Sequence, residues 1–146
     1  MKTCIPIITG ALLLAFPAFG RHTELNGTWT LDPTQSDFGG QPVIQTGTVT
    51  INEREGDITV SRDFKYEGVG ETFFYKDMTD SENNATIHSG KDVKSKAKWD
   101  HDVLKVITTK SGVVTTESFA LAANGSMTVN IVKPGSKPIT LVFIRK

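Results

Sequence analysis

Short β-rich runs divided by tight-turn signals recur from residue 27 to residue 145, with no stretch of helical periodicity long enough to trust. The runs fall at 27–31, 45–52, 58–66, 71–76, 93–99, 103–109, 113–121, 126–132 and 138–145, with a weaker one at 85–88. Alternation is clearest where Val93, Ser95, Ala97 and Trp99 share one face and Lys94, Lys96 and Lys98 share the other. Clusters such as Arg54-Glu55-Gly56-Asp57, Asp100-His101-Asp102, Ser111-Gly112, Asn124-Gly125 and Pro134-Gly135 separate them. Turns this short force antiparallel neighbours, because a parallel pair needs a crossover of about a dozen residues or more. The chain is therefore expected to be an all-β, antiparallel up-and-down meander of eight to ten strands.

Without helical cover, such a meander exposes two edges unless its first and last strands meet. Closure into a small barrel suits this number of strands, and a two-sheet sandwich is the alternative. The longest irregular segment, residues 32–42, is the natural flap over a barrel mouth. In it Asp32-Pro33 suits the start of a short helical turn, with the aspartate as cap.

Residues 1–20 differ from the rest. Met1-Lys2 gives a positive start, an apolar run follows, and Ala18-Phe19-Gly20 ends it with small residues at the positions a signal peptidase inspects. The run falls short of the roughly 20 residues that span a bilayer. We read residues 1–20 as a secretory signal and 21–146 as one barrel domain, secreted or periplasmic, with no transmembrane segment after cleavage. Cys4, the only cysteine, lies near the start of the apolar run, where a lipoprotein cysteine would end it. The mature domain then has no disulfide and depends on its core.

Sixteen basic residues balance sixteen acidic ones, without a basic block, so nucleic acid and anionic membrane surfaces are not expected partners. His22, His88 and His101 lie apart with no metal-ligand spacing, and no metal or other cofactor is expected. No serine, carboxylate or histidine grouping suggests a catalytic centre, so an enzyme is not expected. Asn26-Gly27-Thr28, Asn84-Ala85-Thr86 and Asn124-Gly125-Ser126 match the N-glycosylation pattern; turn formation accounts for two and chance for the third.

Gly27-Thr28-Trp29 resembles the glycine-x-tryptophan signature that opens the first strand of lipocalins and related calycin barrels. The resemblance implies that Trp29 plugs one barrel end and that a basic residue late in the last strand, here Arg145, packs over it. Further motifs are similar to those of small secreted bacterial lipocalin-like domains of unassigned function. These are Asp32-Pro33 with Ser36-Asp37-Phe38, then Trp99-Asp100-His101-Asp102, Asn124-Gly125 and Leu141-Val142-Phe143. Fatty-acid-binding proteins open similarly but insert a helical pair for which this chain has no room. Their C-terminal arginine-x-tyrosine clamp has no match in Phe143-Ile144-Arg145.

Strand parity points Arg62 inward beside Ile58, Val60, Phe64 and Tyr66, and Glu117 inward beside Val113, Phe119 and Leu121. A buried charge without a partner costs several kcal/mol, so each needs one. Arg62, Tyr66 and Glu117 are candidates to orient a polar or anionic ligand head. The alternatives are a structural ion pair or a bulge that turns Arg62 outward. Other candidate lining residues are Val60, Phe64, Phe73, Tyr75, Ser95, Ala97, Val106, Thr115, Phe119 and Val129. The expected function is binding of a small apolar or amphipathic ligand in the barrel interior. The alternative is a filled barrel serving as a structural or protein-interaction domain.

Overall fold

The computed structural model describes residues 22–54, 57–66, 69–78 and 93–146. The expected signal segment and the weak strand at 85–88 lie outside the described residues. Among the described residues nine strands form one sheet: β1 (Gly27–Leu31), β2 (Thr46–Arg54), β3 (Asp57–Tyr66), β4 (Val69–Met78), β5 (Val93–Asp100), β6 (Val103–Lys110), β7 (Val113–Leu121), β8 (Met127–Val132) and β9 (Ile139–Arg145). Their spatial order is β4-β3-β2-β1-β9-β8-β7-β6-β5, every pairing antiparallel. The sheet is an up-and-down meander curled into a barrel.

Closure follows from β1 meeting β9, where Trp29 pairs with Arg145 and Leu31 with Phe143. The sheet edges are therefore β4 and β5, which approach one another but share no ladder among the described residues. Nine alternating strands leave the two edge strands pointing the same way, so the antiparallel pattern cannot continue directly from β4 to β5. Lys94, Lys96 and Lys98 stand exposed along β5, where charge discourages pairing with another chain.

Alternation decides the interior. Gly47, Val49 and Ile51 of β2, Ile58, Val60 and Phe64 of β3, and Leu104 and Val106 of β6 are buried, while the residues that alternate with them are more exposed. They join Trp29, Phe119, Met127, Leu141 and Phe143 in one core. Full burial of side chains this large contributes about 1.5–3 kcal/mol each.

One barrel end is sealed by the segment before β1. Trp29 is fully buried and donates Nε1–H to the Leu25 carbonyl at 2.8 Å. The Arg145 guanidinium lies 4.3 Å from the Trp29 ring centroid and donates to the carbonyls of Asn26 (2.8 Å) and Glu24 (2.7 Å). Gly27, at φ 129°, is required here, because a Cβ would stand 3.1 Å from Arg145 Nη1. The Asn26 amide clips the segment to β2, donating to the Glu53 carbonyl (3.1 Å) and accepting from its N–H (2.7 Å). His22 stacks on Trp99 with centroids 4.2 Å apart. Asn26 is thus a structural residue rather than a glycan acceptor in this fold.

Asn124-Gly125 sits inside a five-residue connection, 122–126, where Ala122 N–H reaches the Ser126 carbonyl and Asn124 Oδ1 accepts from Ser126 N–H and Oγ–H. Asp32-Pro33 starts a turn and no helix. Replacing Arg145 by Met removes the ring contact and two charge-assisted hydrogen bonds at a solvent-facing site, and should lower unfolding free energy by about 1–2 kcal/mol. Urea titration measures it; a loss under about 0.3 kcal/mol would show that the seal does not depend on this side chain.

Candidate functional site

The open end of the barrel lies opposite the Trp29 seal, beneath the long loop that joins β1 to β2. Here β1 has run out and the β9 edge would be left unpaired, so the loop takes over its hydrogen bonds. Asp32 N–H reaches the Val142 carbonyl at 2.8 Å, Val142 N–H reaches Ser36 Oγ at 2.9 Å, and Asp37 and Thr140 exchange two bonds at 2.7 and 2.8 Å. The loop's first turn is tied by Asp32, whose carboxylate accepts from Thr34 N–H (3.0 Å), Thr34 Oγ–H (2.6 Å) and Gln35 Nε2–H (2.7 Å). The Thr34 side chain, followed by Gln35, holds this carboxyl below the usual aspartate value. The flap expected over the mouth is therefore fastened in place.

Between this loop and the barrel rim is a cavity of about 290 Å3. Phe38, Pro42 and Ile44 of the loop form one wall, and Phe64, Ile131, Ile139 and Leu141 of the strands form the other. Gln41, Tyr66, Thr115, Ser136, Lys133 and Lys137 supply polar groups, and Arg62 lies at its inner side. The volume stands at the small end of the range for ligand pockets, and the mix of apolar walls with a few polar groups is typical of them.

Arg62 and Glu117 meet across the interior. Arg62 Nη1 donates to Glu117 Oε1, and Nη2 donates to Oε2 at 2.9 Å. Their strands, β3 and β7, are well separated in the sheet order, so the fork-to-fork pair bridges opposite walls of the barrel. The Glu117 side chain is 4% exposed and that of Arg62 17%. Both charges point inward as their parity requires, and no bulge turns Arg62 away.

Of the residues proposed from sequence, Arg62, Phe64, Tyr66 and Thr115 line this cavity, and Glu117 reaches it through Arg62. Val60, Ala97, Val106, Phe119 and Val129 are buried in the core and are not among its walls. Ser95 is buried too, its hydroxyl 2.9 Å from that of Thr108. Phe73 and Tyr75 occupy positions facing Arg62 and Val60 along the β3–β4 ladder; their side chains lie outside the description. Gly27, Trp29 and Arg145 meet at the β1–β9 junction. Parity alone could not rank inward residues by depth, which is why core and cavity residues were grouped together. It did mark the loop as a flap, but not which of its side chains, Phe38, Gln41, Pro42 and Ile44, would face the cavity.

No protein-family model matches the sequence, and no curated protein matches it. Solved structures do. The chain superposes on the wild-type fluorescent protein UnaG with a TM-score of 0.65 at 19% identity, covering 84% of this chain and 98% of that one. A REP1-NXSQ fatty acid transporter gives 0.66 at 16% identity over 85% and 97%. The Echinococcus granulosus fatty-acid-binding protein 1 gives 0.63 at 11% identity over 84% and 97%. The chain shares the β-barrel fold of these proteins.

The bridge between β3 and β7 carries a quantitative consequence. Arg62→Met strands the Glu117 carboxylate and should cost about 3–5 kcal/mol of stability, whereas Arg62→Met with Glu117→Leu should return to within about 1–2 kcal/mol of the parent. Urea unfolding of both variants measures this. A double variant as unstable as the single one would contradict the pairing.

Proposed function

We propose that this chain is an exported binding module, not an enzyme, that takes a small apolar or amphipathic molecule into the cavity at the barrel mouth. The observation that carries the reading is the cavity itself, with apolar walls above a neutralised Arg62–Glu117 pair. Burying an apolar body against Phe38, Phe64 and Leu141 supplies affinity, and the polar groups around it supply orientation. Two of the proteins with this fold are a fatty acid transporter and a fatty-acid-binding protein, which supports a hydrophobic ligand.

Export rests on the sequence of residues 1–20 and on the likeness to small secreted bacterial lipocalin-like domains. The loop that covers the cavity is tied to β9 rather than helical, and the cavity holds only about 290 Å3, which favours a ligand smaller than a long acyl chain.

Mass spectrometry of the protein isolated from cells tests both parts. Under denaturing conditions the mass should be that of a chain beginning at Arg21; retention of residues 1–20 would contradict export. Under native conditions, after delipidation and incubation with decanoate or 1-decanol, a one-to-one adduct should form with at least one of them. Failure to bind either would contradict the binding reading.

A further inference from the structure

The mouth carries two lysines whose placement is not explained by the fold. Lys133 follows β8 and continues the inward parity of Met127, Val129 and Ile131. Lys137 precedes β9 on the inward parity of Ile139, Leu141 and Phe143. Beyond the last ladder pair, Ile131 with Ile139, the two lysines flank the turn that joins β8 to β9. Both line the cavity.

The connection between them fixes that arrangement. Ser136 N–H donates to the Lys133 carbonyl at 3.2 Å, with Pro134 and Gly135 at the corners and Gly135 at φ 75°. That is the pattern of a type II turn, in which proline presets the first corner and glycine supplies the positive φ of the second. Two ammonium groups bordering one cavity repel each other. Among the described residues neither lysine forms an ion pair. The carboxylates of the adjoining loop are turned onto the loop's own turns, Asp32 to Thr34 and Gln35, and Asp37 to Gly39 N–H at 2.9 Å.

Arg62, the deeper cation of the same cavity, already has both ends of its fork on Glu117. The cavity thus has a neutralised inner side and a positive rim. An anionic group entering it gains little at Arg62 unless Glu117 is displaced, and displacing Glu117 leaves a buried carboxylate behind. At the rim it relieves the repulsion between Lys133 and Lys137.

We infer that Lys133 and Lys137 form an anion-selective rim, so that the ligand is a small amphipathic anion, such as a medium-chain carboxylate, bound with its charged head outward and its apolar tail inward. This rests on the binding reading above and adds the ligand's charge and orientation to it. Polar neighbours Gln41 and Ser136 can complete the head's hydrogen bonds.

The experiment compares three probes of equal chain length, decanoate, 1-decanol and decyltrimethylammonium, by displacement of a neutral dye from the delipidated full-length protein. The parent should rank decanoate first and the cation last. The variant carrying Lys133→Gln and Lys137→Gln should bind decanoate about three- to tenfold more weakly and 1-decanol within about twofold of the parent. Both residues are exposed, so the variant is expected to fold, and its thermal midpoint is recorded beside the binding. Added salt should weaken decanoate and leave 1-decanol unchanged. Equal affinity for all three probes, or a decanoate preference that survives in the lysine variant and vanishes in Arg62→Gln, would overturn the outward orientation while leaving ligand binding intact. Binding of none of the three would overturn the binding reading itself, and this inference with it.

Discussion

The indole of Trp29 under the guanidinium of Arg145 is the contact on which the remaining architecture depends. It joins the first strand to the last and so turns a linear meander into a barrel. It also fixes the segment before β1, because the same two side chains take the carbonyls of Glu24, Leu25 and Asn26. With that end sealed, the described cavity between loop and strands lies at the other end. Each bond is modest, but the three act on one segment of chain and are made together.

From that seal the placement of the site follows in steps. β1 is short, so β9 extends beyond it toward the mouth, and the loop from Asp32 onward must satisfy the β9 edge. Doing so lays Phe38, Pro42 and Ile44 over the mouth and creates a wall where a longer first strand would have left an open rim. Beneath it, Arg62 and Glu117 hold β3 and β7 apart at a set distance. The pair contributes little net stability compared with an apolar replacement. Its effect is on polarity: it gives the cavity a hydrogen-bonded inner side while cancelling the charge there, leaving Lys133 and Lys137 to set the field at the rim.

Most of this architecture was legible in the residues. Strand faces came directly from period-two alternation, and Arg62 and Glu117 stood out because each interrupts an apolar face. That they would choose each other followed from the cost of leaving either alone. The ends of the chain were joined by a resemblance confined to Gly27, Trp29 and Arg145, and the geometry agrees. Other features were hidden for physical reasons. Parity tells in from out but carries no depth, so Ser95, Ala97 and Val106 could not be separated from Phe64 and Thr115. The side chains of residues 38–44 are positioned by long-range bonds to Thr140 and Val142, a pairing with no local signal. Asn124-Gly125 marked the β7–β8 hairpin, but not that Asn124 Oδ1 would accept from Ser126 within it. Lys133 and Lys137 flank the Pro134-Gly135 turn, and nothing in their local sequence signals that both would line the cavity.

If the β1–β9 seal holds the barrel together, its backbone must be among the last to open. Native-state hydrogen exchange followed by NMR reports this residue by residue. The account predicts that the amides bonded across the β1–β9 ladder, those of Thr30 and Ile144, exchange only through global unfolding, with opening free energies equal to the equilibrium stability. Fast exchange at Thr30 and Ile144 while β6 and β7 stay protected would mean that the barrel persists without its seal, and would contradict the account.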